Sequence, residues 1–392
     1  VDLRMDHVLS EEHQALKEAV RDFTQEVVAP VSAGHDADHS FPYEVIAQMG
    51  EMGLFGLPFP EEHGGQGGDY FALCLALEEL AKVDQSVAIT LEAGVSLGAM
   101  PIHRFGTEAQ KQRWLPELTS GRRLAGFGLT ESEAGSDAGG TRTRAVLDGD
   151  EWVIDGTKEF ITNSGTTITS LVTVTAVTGE QQLPDGRTKK EISTILVPTD
   201  TPGFTAEPAY DKVGWNASDT HPLTLSGVRV PQENLLGERG RGYANFLGIL
   251  DEGRIAIAAL ATGAAQGCVD EAARYAKERE TFGAAIGTNQ AISFKIARMQ
   301  ARAHSARLAY YDAAARMLEG RPFKTEAAIA KLIAGEAAMD NARDATQVFG
   351  GYGFINESVV ARHYRDSKIL EIGEGTTEVQ LMLIARSLGL DA

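Results

Sequence analysis

Two segments in the first half of the chain combine residue types that can bind a ligand. Phe127-Gly-Leu-Thr-Glu-Ser-Glu-Ala-Gly-Ser-Asp-Ala-Gly139 runs from an apolar stretch into a glycine turn dense in hydroxyls and backbone N–H donors, which suits the polar edge of a ring or a phosphate. Gly156-Thr-Lys-Glu-Phe-Ile-Thr-Asn163 sets an aromatic side chain beside hydroxyl and amide groups. Taken singly, the first could be only a turn, and Leu129 and Ile161 would be ordinary core residues in any β unit. His35-Asp-Ala-Asp-His39 has the spacing of a metal pair, but no third His or Cys lies nearby, so the expectation is a solvated loop between two helices and no metal. The dinucleotide fingerprint fails at both near matches, residues 240–245 and 351–356, because each ends in Asn. Neither a phosphate loop, a nucleophile elbow nor a His-Glu-x-x-His motif occurs.

The elements that must carry these segments follow from periodicity. Residues 10–30 have helical period, with Ser10 as cap, Glu11 and Glu12 in the first turn and Pro30 as the expected stop. Further helices are expected from Pro42, over 69–83 and over 86–105, and Thr107-x-x-Gln110 is a capping-box start for another. After Gly121 the pattern changes to alternation with Asp-Gly turns: residues 144–147 and 151–154 read as a hairpin, Asp155-Gly156 as a second tight turn. Strands fit 171–177, 193–197, 203–209 and 222–230, with the polar insert 179–190 as a surface loop. Helical period returns from Gly240, broken near 283–288, 320–322, 350–353 and 373–375, which suggests four long Ala-rich helices in an antiparallel bundle. The expected fold class is α+β, with a helical block at 1–121, a small β barrel or sandwich at 122–234 and a four-helix bundle at 235–392.

Composition narrows the partners. The 392 residues hold 36 Lys and Arg against 55 Asp and Glu, a net charge of −19 that would be repelled by phosphate backbones and anionic lipid. Cys74 and Cys268 are far apart in apolar helical text, so a disulfide framework is not expected and the compartment reads as reducing. The longest apolar run, 255–269, is too short and too interrupted to span a bilayer. The first residues lack a signal-peptide profile, so a cytoplasmic location is expected, or a mitochondrial matrix one if an upstream targeting segment was removed.

The two opening segments resemble the flavin-binding signature of the acyl-CoA dehydrogenase family. The resemblance extends along the chain through Lys212-Val-Gly-Trp-Asn-Ala-Ser-Asp-Thr220, Asp251-Glu-Gly-Arg254, Arg279-Glu-Thr-Phe-Gly283, Gln347-Val-Phe-Gly-Gly-Tyr-Gly-Phe354 and Glu374-Gly-Thr-Thr-Glu-Val-Gln380. Its family architecture is helical, β, helical. Its implied reaction removes the α-hydrogen of an acyl-CoA as a proton and the β-hydrogen as a hydride to FAD, leaving a trans-2-enoyl thioester. An α-proton is a poor acid, so such a site needs a carboxylate base beside a polarised carbonyl. Glu374 matches the family's base. It stands just before a helix, whose dipole would favour its charge while burial would oppose it; alone, it would read as a helix cap.

The same resemblance assigns the remaining residues. Phe127, Leu129 and Thr130 would contact the flavin ring, Gly135 and Ser136 the flavin and CoA side, and Phe160, Ile161 and Thr162 the ring's other face, with Phe160 where relatives often have Trp. Arg279, Thr281, Phe282 and Gln290, with Gln347, Gly350 and Gly351, resemble the groups by which a neighbouring subunit holds the FAD diphosphate and adenine, which implies a homotetramer. Thr376 and Glu378 also look like FAD contacts. Asp251 and Arg254 resemble residues near the CoA pantetheine. One subfamily carries its base at the position of Gly253, which cannot act as one. Leu91, Glu92, Ser96 and Leu97 match the region closing the acyl pocket, or are simply helix core. Gly373 stands where straight-chain relatives often have Tyr, and Gly375 follows the base; Gly373 leaves room for an α-methyl or serves only a backbone angle. With Gly-Trp-Asn at 214–216, the chain is similar to bacterial short and branched-chain enzymes of amino-acid catabolism, and isobutyryl-, 2-methylbutyryl- or butyryl-CoA is expected. An electron-transferring flavoprotein is the implied acceptor. Rivals on the same fold are an acyl-CoA or nitroalkane oxidase, the former usually with a further C-terminal helical domain, and a flavin-bearing DNA-protection protein, which the negative charge disfavours.

Overall fold

A computed structural model describes residues 9–182, 186 and 188–390. Helix α1 (Glu11–Phe23) starts where Ser10 Oγ accepts the His13 N–H at 3.1 Å. Pro30 does not end this helical run. The chain widens into a π-helical turn at Thr24–Val28 and continues as α2 (Ala29–Asp38), with Pro30 in the first turn, where its missing N–H costs nothing. His35 therefore lies in α2 and hydrogen-bonds Ser40 (2.9 Å), while His39 is the left-handed cap at φ 50°, correcting the expected loop.

Five more helices and a second π segment complete this part: α3 (Tyr43–Glu51), α4 (Tyr70–Ala81), α5 (Gln85–Glu92), the π turn Ala93–Ala99 with α6 (Met100–Phe105), and α7 (Glu108–Thr119). Both bonds of the Thr107/Gln110 capping box form. Helix α4 is buried on almost every side, mostly through apolar residues but with Glu78 and Glu79 enclosed as well, as suits a helix sandwiched between others.

Among the described residues, one sheet has the order β6-β7-β3-β2-β4-β5-β8, with β1 parallel to β4. Its strands are β1 (Leu124–Gly128), β2 (Arg144–Asp148), β3 (Glu151–Thr162), β4 (Thr169–Gln182), β5 (Thr188–Pro198), β6 (Phe204–Ala206), β7 (Thr220–Pro231) and β8 (Leu235–Leu236). The short β2 follows β3 along its length but meets β4 only at Arg144 and Val177, so the sheet divides into two halves. These enclose a core drawn from both, with Trp152, Ile154, Leu223 and Val228 from one half and Val172, Val174, Ile195 and Val197 from the other. Asp155-Gly156 is a bulge inside β3 and not a turn, because Gly156 (φ 155°) packs against Thr143 where a Cβ would stand 2.4 Å from Oγ1. The insert at 179–190 is largely strand: Gly179–Gln182 pairs with Thr188–Glu191, extending the β4–β5 hairpin, and residues 183–185 and 187 lie outside the described residues. Strand β8 lies two residues past the boundary expected at 234.

The C-terminal part holds three long helices where four were expected: α8 (Gly242–Glu278), α9 (Gln290–Leu318) and α10 (Lys324–Phe349). Between α8 and α9 sits a small hairpin of β9 (Glu280–Thr281) and β10 (Ala284–Ala285). The final stretch is split by glycine-rich turns into the short helices α11 (Val359–Ser367) and α12 (Thr377–Ser387), both packed on α10. The small-residue run of α8 has a packing reason. A Cβ on Gly263 or Gly267 would lie 2.2 Å from Glu78 O or 2.1 Å from Lys82 O, so α8 crosses α4 at backbone contact. Cys74 and Cys268 are free and buried on these two helices.

Candidate active site

The two opening segments meet at the edge of the β unit. Phe127 and Leu129 leave β1 on the side of the helical core, where Phe127 stacks on Phe246 of α8 (3.8 Å between centroids, 23° between planes). The Glu159 N–H donates to Thr130 O (2.9 Å), joining the first segment to β3. The turn that follows is held from inside. Buried Glu131 accepts bonds from Thr141 Oγ1 (2.5 Å), the N–H groups of Arg142 (2.6 Å) and Thr143 (3.1 Å), and Lys158 Nζ (2.8 Å); Lys158 also reaches Leu129 O at 3.3 Å. Burial opposes the charge on Glu131, yet Lys158 and the hydroxyls hold its carboxyl at about 2; burial likewise brings Lys158 down to about 8 against the pull of Glu131. Gly135 and Ser136 are exposed on this braced turn. On β3, Ile161 is buried and Thr162 half-buried, while Phe160 is 65% exposed and stacked on Tyr210 (5.1 Å).

Glu374 stands in the loop before α12 with φ 52°, a left-handed conformation unusual for a residue with a Cβ. Gly375 follows at φ 96°. Its carbonyl accepts from Lys331 Nζ of α10 (2.8 Å) and Gln380 Nε2 (2.9 Å), so the loop is tied at one oxygen from two directions. Thr376 caps α12 by accepting the Val379 N–H at 3.3 Å. Glu378, exposed in the first turn, is held below the usual carboxylate range by its own backbone N–H and Thr376.

The Glu374 carboxylate points at α8. A Cβ on Gly253 would lie 2.6 Å from Glu374 Oε2 and 3.9 Å from Glu92 Oε1, so three elements converge on this point. Glu374 is half-buried as a residue, with Oε2 shielded from solvent, and burial is the largest influence on its carboxyl, raising it above the ordinary carboxylate range against the neighbouring Glu92 side chain and the charges of Lys331 and Arg254. Arg254 is buried and paired with Asp251, which also meets Lys324 at 3.2 Å. Leu91, Glu92 and Ser96 are buried on α5 and the π turn, and Leu97 is half-buried. A Cβ on Gly373 would meet Ile369 at an ordinary 3.4 Å, and its φ is not in the left-handed region, so no backbone demand requires glycine there.

Arg279, Thr281, Gly350 and Gly351 lie elsewhere. They line a cavity of about 690 Å³ with Tyr275, Phe349 and Tyr352, and Phe282, Gln290 and Gln347 are exposed residues of the same hairpin and helix ends. This cavity shares no lining residue with the Glu374 cluster, so within one chain the expected residues form two separate groups.

Backbone strain marks the same places. Of the described non-glycine residues with positive φ, Phe160, Asn163, Trp215, Phe282 and Glu374 all fall within the motif segments, and only His39 does not. Lys331, Lys158 and Phe246 escaped sequence reasoning as site-building residues. Lys331 did leave a signal, a lone lysine inside the alanine-rich run 327–338, and it is only 1% exposed.

A helical, β, helical chain with a left-handed glutamate turning a buried carboxylate oxygen toward a helix, and a separate cavity lined by arginine and glycine, has the architecture of a flavin-dependent dehydrogenase of thioesters. Three family models match in order: the acyl-CoA dehydrogenase N-terminal domain at 10–122, middle domain at 126–228 and C-terminal domain at 240–389. The chain belongs to the acyl-CoA dehydrogenase family. It is 48% identical to a probable acyl-CoA dehydrogenase, YngJ, of Bacillus subtilis over 98% of this chain and 100% of that one. The butyryl-CoA dehydrogenase of Megasphaera elsdenii superposes with a TM-score of 0.92 at 42% identity, covering 97% of this chain and 98% of that one. A chain solved in work on the electron transferring flavoprotein of Acidaminococcus fermentans superposes at 0.93 with 41% identity, covering 98% and 99%. The protein is an acyl-CoA dehydrogenase, an oxidoreductase whose cofactor is FAD. The residues present suit that cofactor: the cavity offers a guanidinium and two glycines whose Cβ directions are open, as an anionic diphosphate requires. Among the described residues, no helix is long and apolar enough to cross a membrane.

Proposed function

We propose that the chain dehydrogenates a short or branched-chain acyl-CoA to the trans-2-enoyl-CoA, with Glu374 as the base that takes the α-proton. One observation carries this reading: Glu374 sits in a strained, tied-down loop with its Oε2 buried, two cations near it and, opposite, a glycine whose missing side chain leaves the carboxylate its place. Burial strengthens such a group as a base, and fixed orientation reduces the cost of reaching the transition state. When bound, FAD supplies the acceptor for the β-hydride. Phe127, Leu129, Thr130, Phe160, Ile161 and Thr162 would border its ring, Gly135 and Ser136 the CoA side, and Asp251 with Arg254 the pantetheine arm.

Arg279, Thr281, Phe282, Gln290, Gln347, Gly350 and Gly351 would hold the diphosphate and adenine of a cofactor bound mainly by a neighbouring subunit, with Thr376 and Glu378 as further contacts. The separation of this cavity from the Glu374 cluster, and the exposed Phe282 and Phe354 beside it, support a homotetramer. An electron-transferring flavoprotein is the proposed acceptor, in keeping with the Acidaminococcus neighbour. The likeness to butyryl-CoA dehydrogenase supports a short acyl chain, and Gly373 supports room for an α-branch. Two free buried thiols fit a cytoplasmic location. Division into blocks at 121 and 234 remains a proposal, with β8 extending the second block to 236.

Anaerobic titration of the flavoprotein with a panel of acyl-CoAs tests the reading through bleaching of the flavin band. Isobutyryl- or butyryl-CoA should bleach fast and octanoyl-CoA slowly; the opposite order would refute the pocket assignment. Glu374→Gln should remove bleaching, and a normal rate in that variant would refute the base assignment.

A further inference from the structure

Glu92 and Glu374 reach the same point beside Gly253 from α5 and from the loop before α12. Neither oxygen of Glu92, nor Glu374 Oε2, makes a well-formed hydrogen bond to an N–H or O–H donor, although all three atoms are buried. The Ser96 hydroxyl, which eases the burial of Glu92, is itself paired with Tyr70 Oη at 2.9 Å. With Glu374 Oε2 and Glu92 Oε1 both within 4 Å of the Gly253 Cβ position and both buried, a second negative charge is disfavoured, and a proton between the two carboxylates satisfies both.

The surroundings are unequal. Lys331 and Arg254 favour charge on Glu374, whereas no cation acts comparably on Glu92, which is fully buried. Tyr70 and Cys74 of α4 face Glu92 and are pushed up by burial, so both stay neutral near neutral pH; Glu252 of α8 acts on Tyr70, and Glu371 on Lys331.

We propose that Glu92 is a positioning residue for the base: it holds one proton, donates it in a hydrogen bond to the Glu374 carboxylate, and so keeps that carboxylate oriented and ionised in the substrate-free enzyme. The inference rests on Glu374 being the base. In the reaction the α-carbon's proton passes to Glu374 and the C–H electron pair stays with the substrate. The pair then carries two protons, one on each carboxyl, and is neutral.

The sign of one shift tests this. If Glu92 is a neutral donor, Glu92→Ala removes support for the Glu374 charge, and the acid limb of kcat/KM moves to higher pH by about one unit. Glu92→Gln keeps an N–H donor and returns the limb to near its wild-type position. If both variants move the limb to lower pH, Glu92 carried a negative charge and the proposal fails. A uniform loss at every pH would mean packing alone and would also overturn it. Infrared difference spectra of wild type minus Glu92→Gln at pH 8 should show a protonated carboxyl band, and its absence would overturn the proposal without any reference to turnover. Since that measurement does not depend on catalysis, it separates failure of the pair from failure of the base assignment, which Glu374→Gln reports.

Discussion

Replacing Gly253 by Ala should move activity and stability in opposite directions. The added methyl would stand 2.6 Å from Glu374 Oε2, roughly 1 Å inside the ~3.5 Å at which non-bonded heavy atoms settle. The next atoms it meets are the Glu374 carboxyl carbon at 3.7 Å and Glu92 Oε1 at 3.9 Å, so no backbone resists and only the end of the Glu374 side chain must give way. Position 253 is inside α8, where alanine is favoured over glycine by up to about 1 kcal/mol. Unfolding should therefore be neutral to stabilised by up to about that amount. Displacing the base by ~1 Å should lower the rate of flavin reduction by about 100-fold. Stopped-flow bleaching with butyryl-CoA and denaturant unfolding of the same preparation measure the two effects. Unchanged reduction would refute the placement of Glu374 against α8. Loss of both rate and stability would refute the claim that only the carboxylate moves.

Lys331→Met removes one of two donors to Gly375 O and a cation near Glu374. Loss of that cation raises Glu374 further, so less of it is ionised at a given acidic pH; the acid limb of kcat/KM should shift upward by about one unit. An unmoved limb would count against any coupling between the two. Lys158→Met leaves Glu131 buried without its cation, and chemical unfolding should show a loss of about 3–5 kcal/mol; a loss below about 1 kcal/mol would show that the hydroxyls and N–H groups suffice. Arg279→Ala should weaken FAD retention by about 10- to 100-fold, read by flavin release on dilution, since a charge-assisted bond to phosphate contributes about 1.5–3 kcal/mol. Retention equal to wild type would take Arg279 out of the cofactor site.

Local patterns were legible where a side chain bonds within its own turn. Ser10 and Thr107 cap the helices they precede, and the 144–154 hairpin has the residues its register needs. Pro30 misled because a proline also fits the first turn of a new helix, and Asp155-Gly156 because a distant partner overrides a local preference. A π turn absorbs the proline, and Thr143 presses β3 into a bulge where the dipeptide alone would turn. The insert at 179–190 looked like loop because both arms of a hairpin that projects into solvent are polar.

By itself, the sequence determined the order of helical and β blocks and the motif segments, since each depends on residues close together in the chain, while Glu374 became a candidate through the resemblance those segments carry. Tertiary structure alone decided what surrounds that carboxylate. Glu92, Gly253, Lys331 and Glu374 are spread over four elements and more than 280 positions, and no spacing rule relates them. They come together because α8 crosses α4 at backbone contact and α10 holds the loop before α12 through a single carbonyl. There burial raises the carboxylate against the charges of Lys331 and Arg254, and burial is a property of packing that local sequence does not encode.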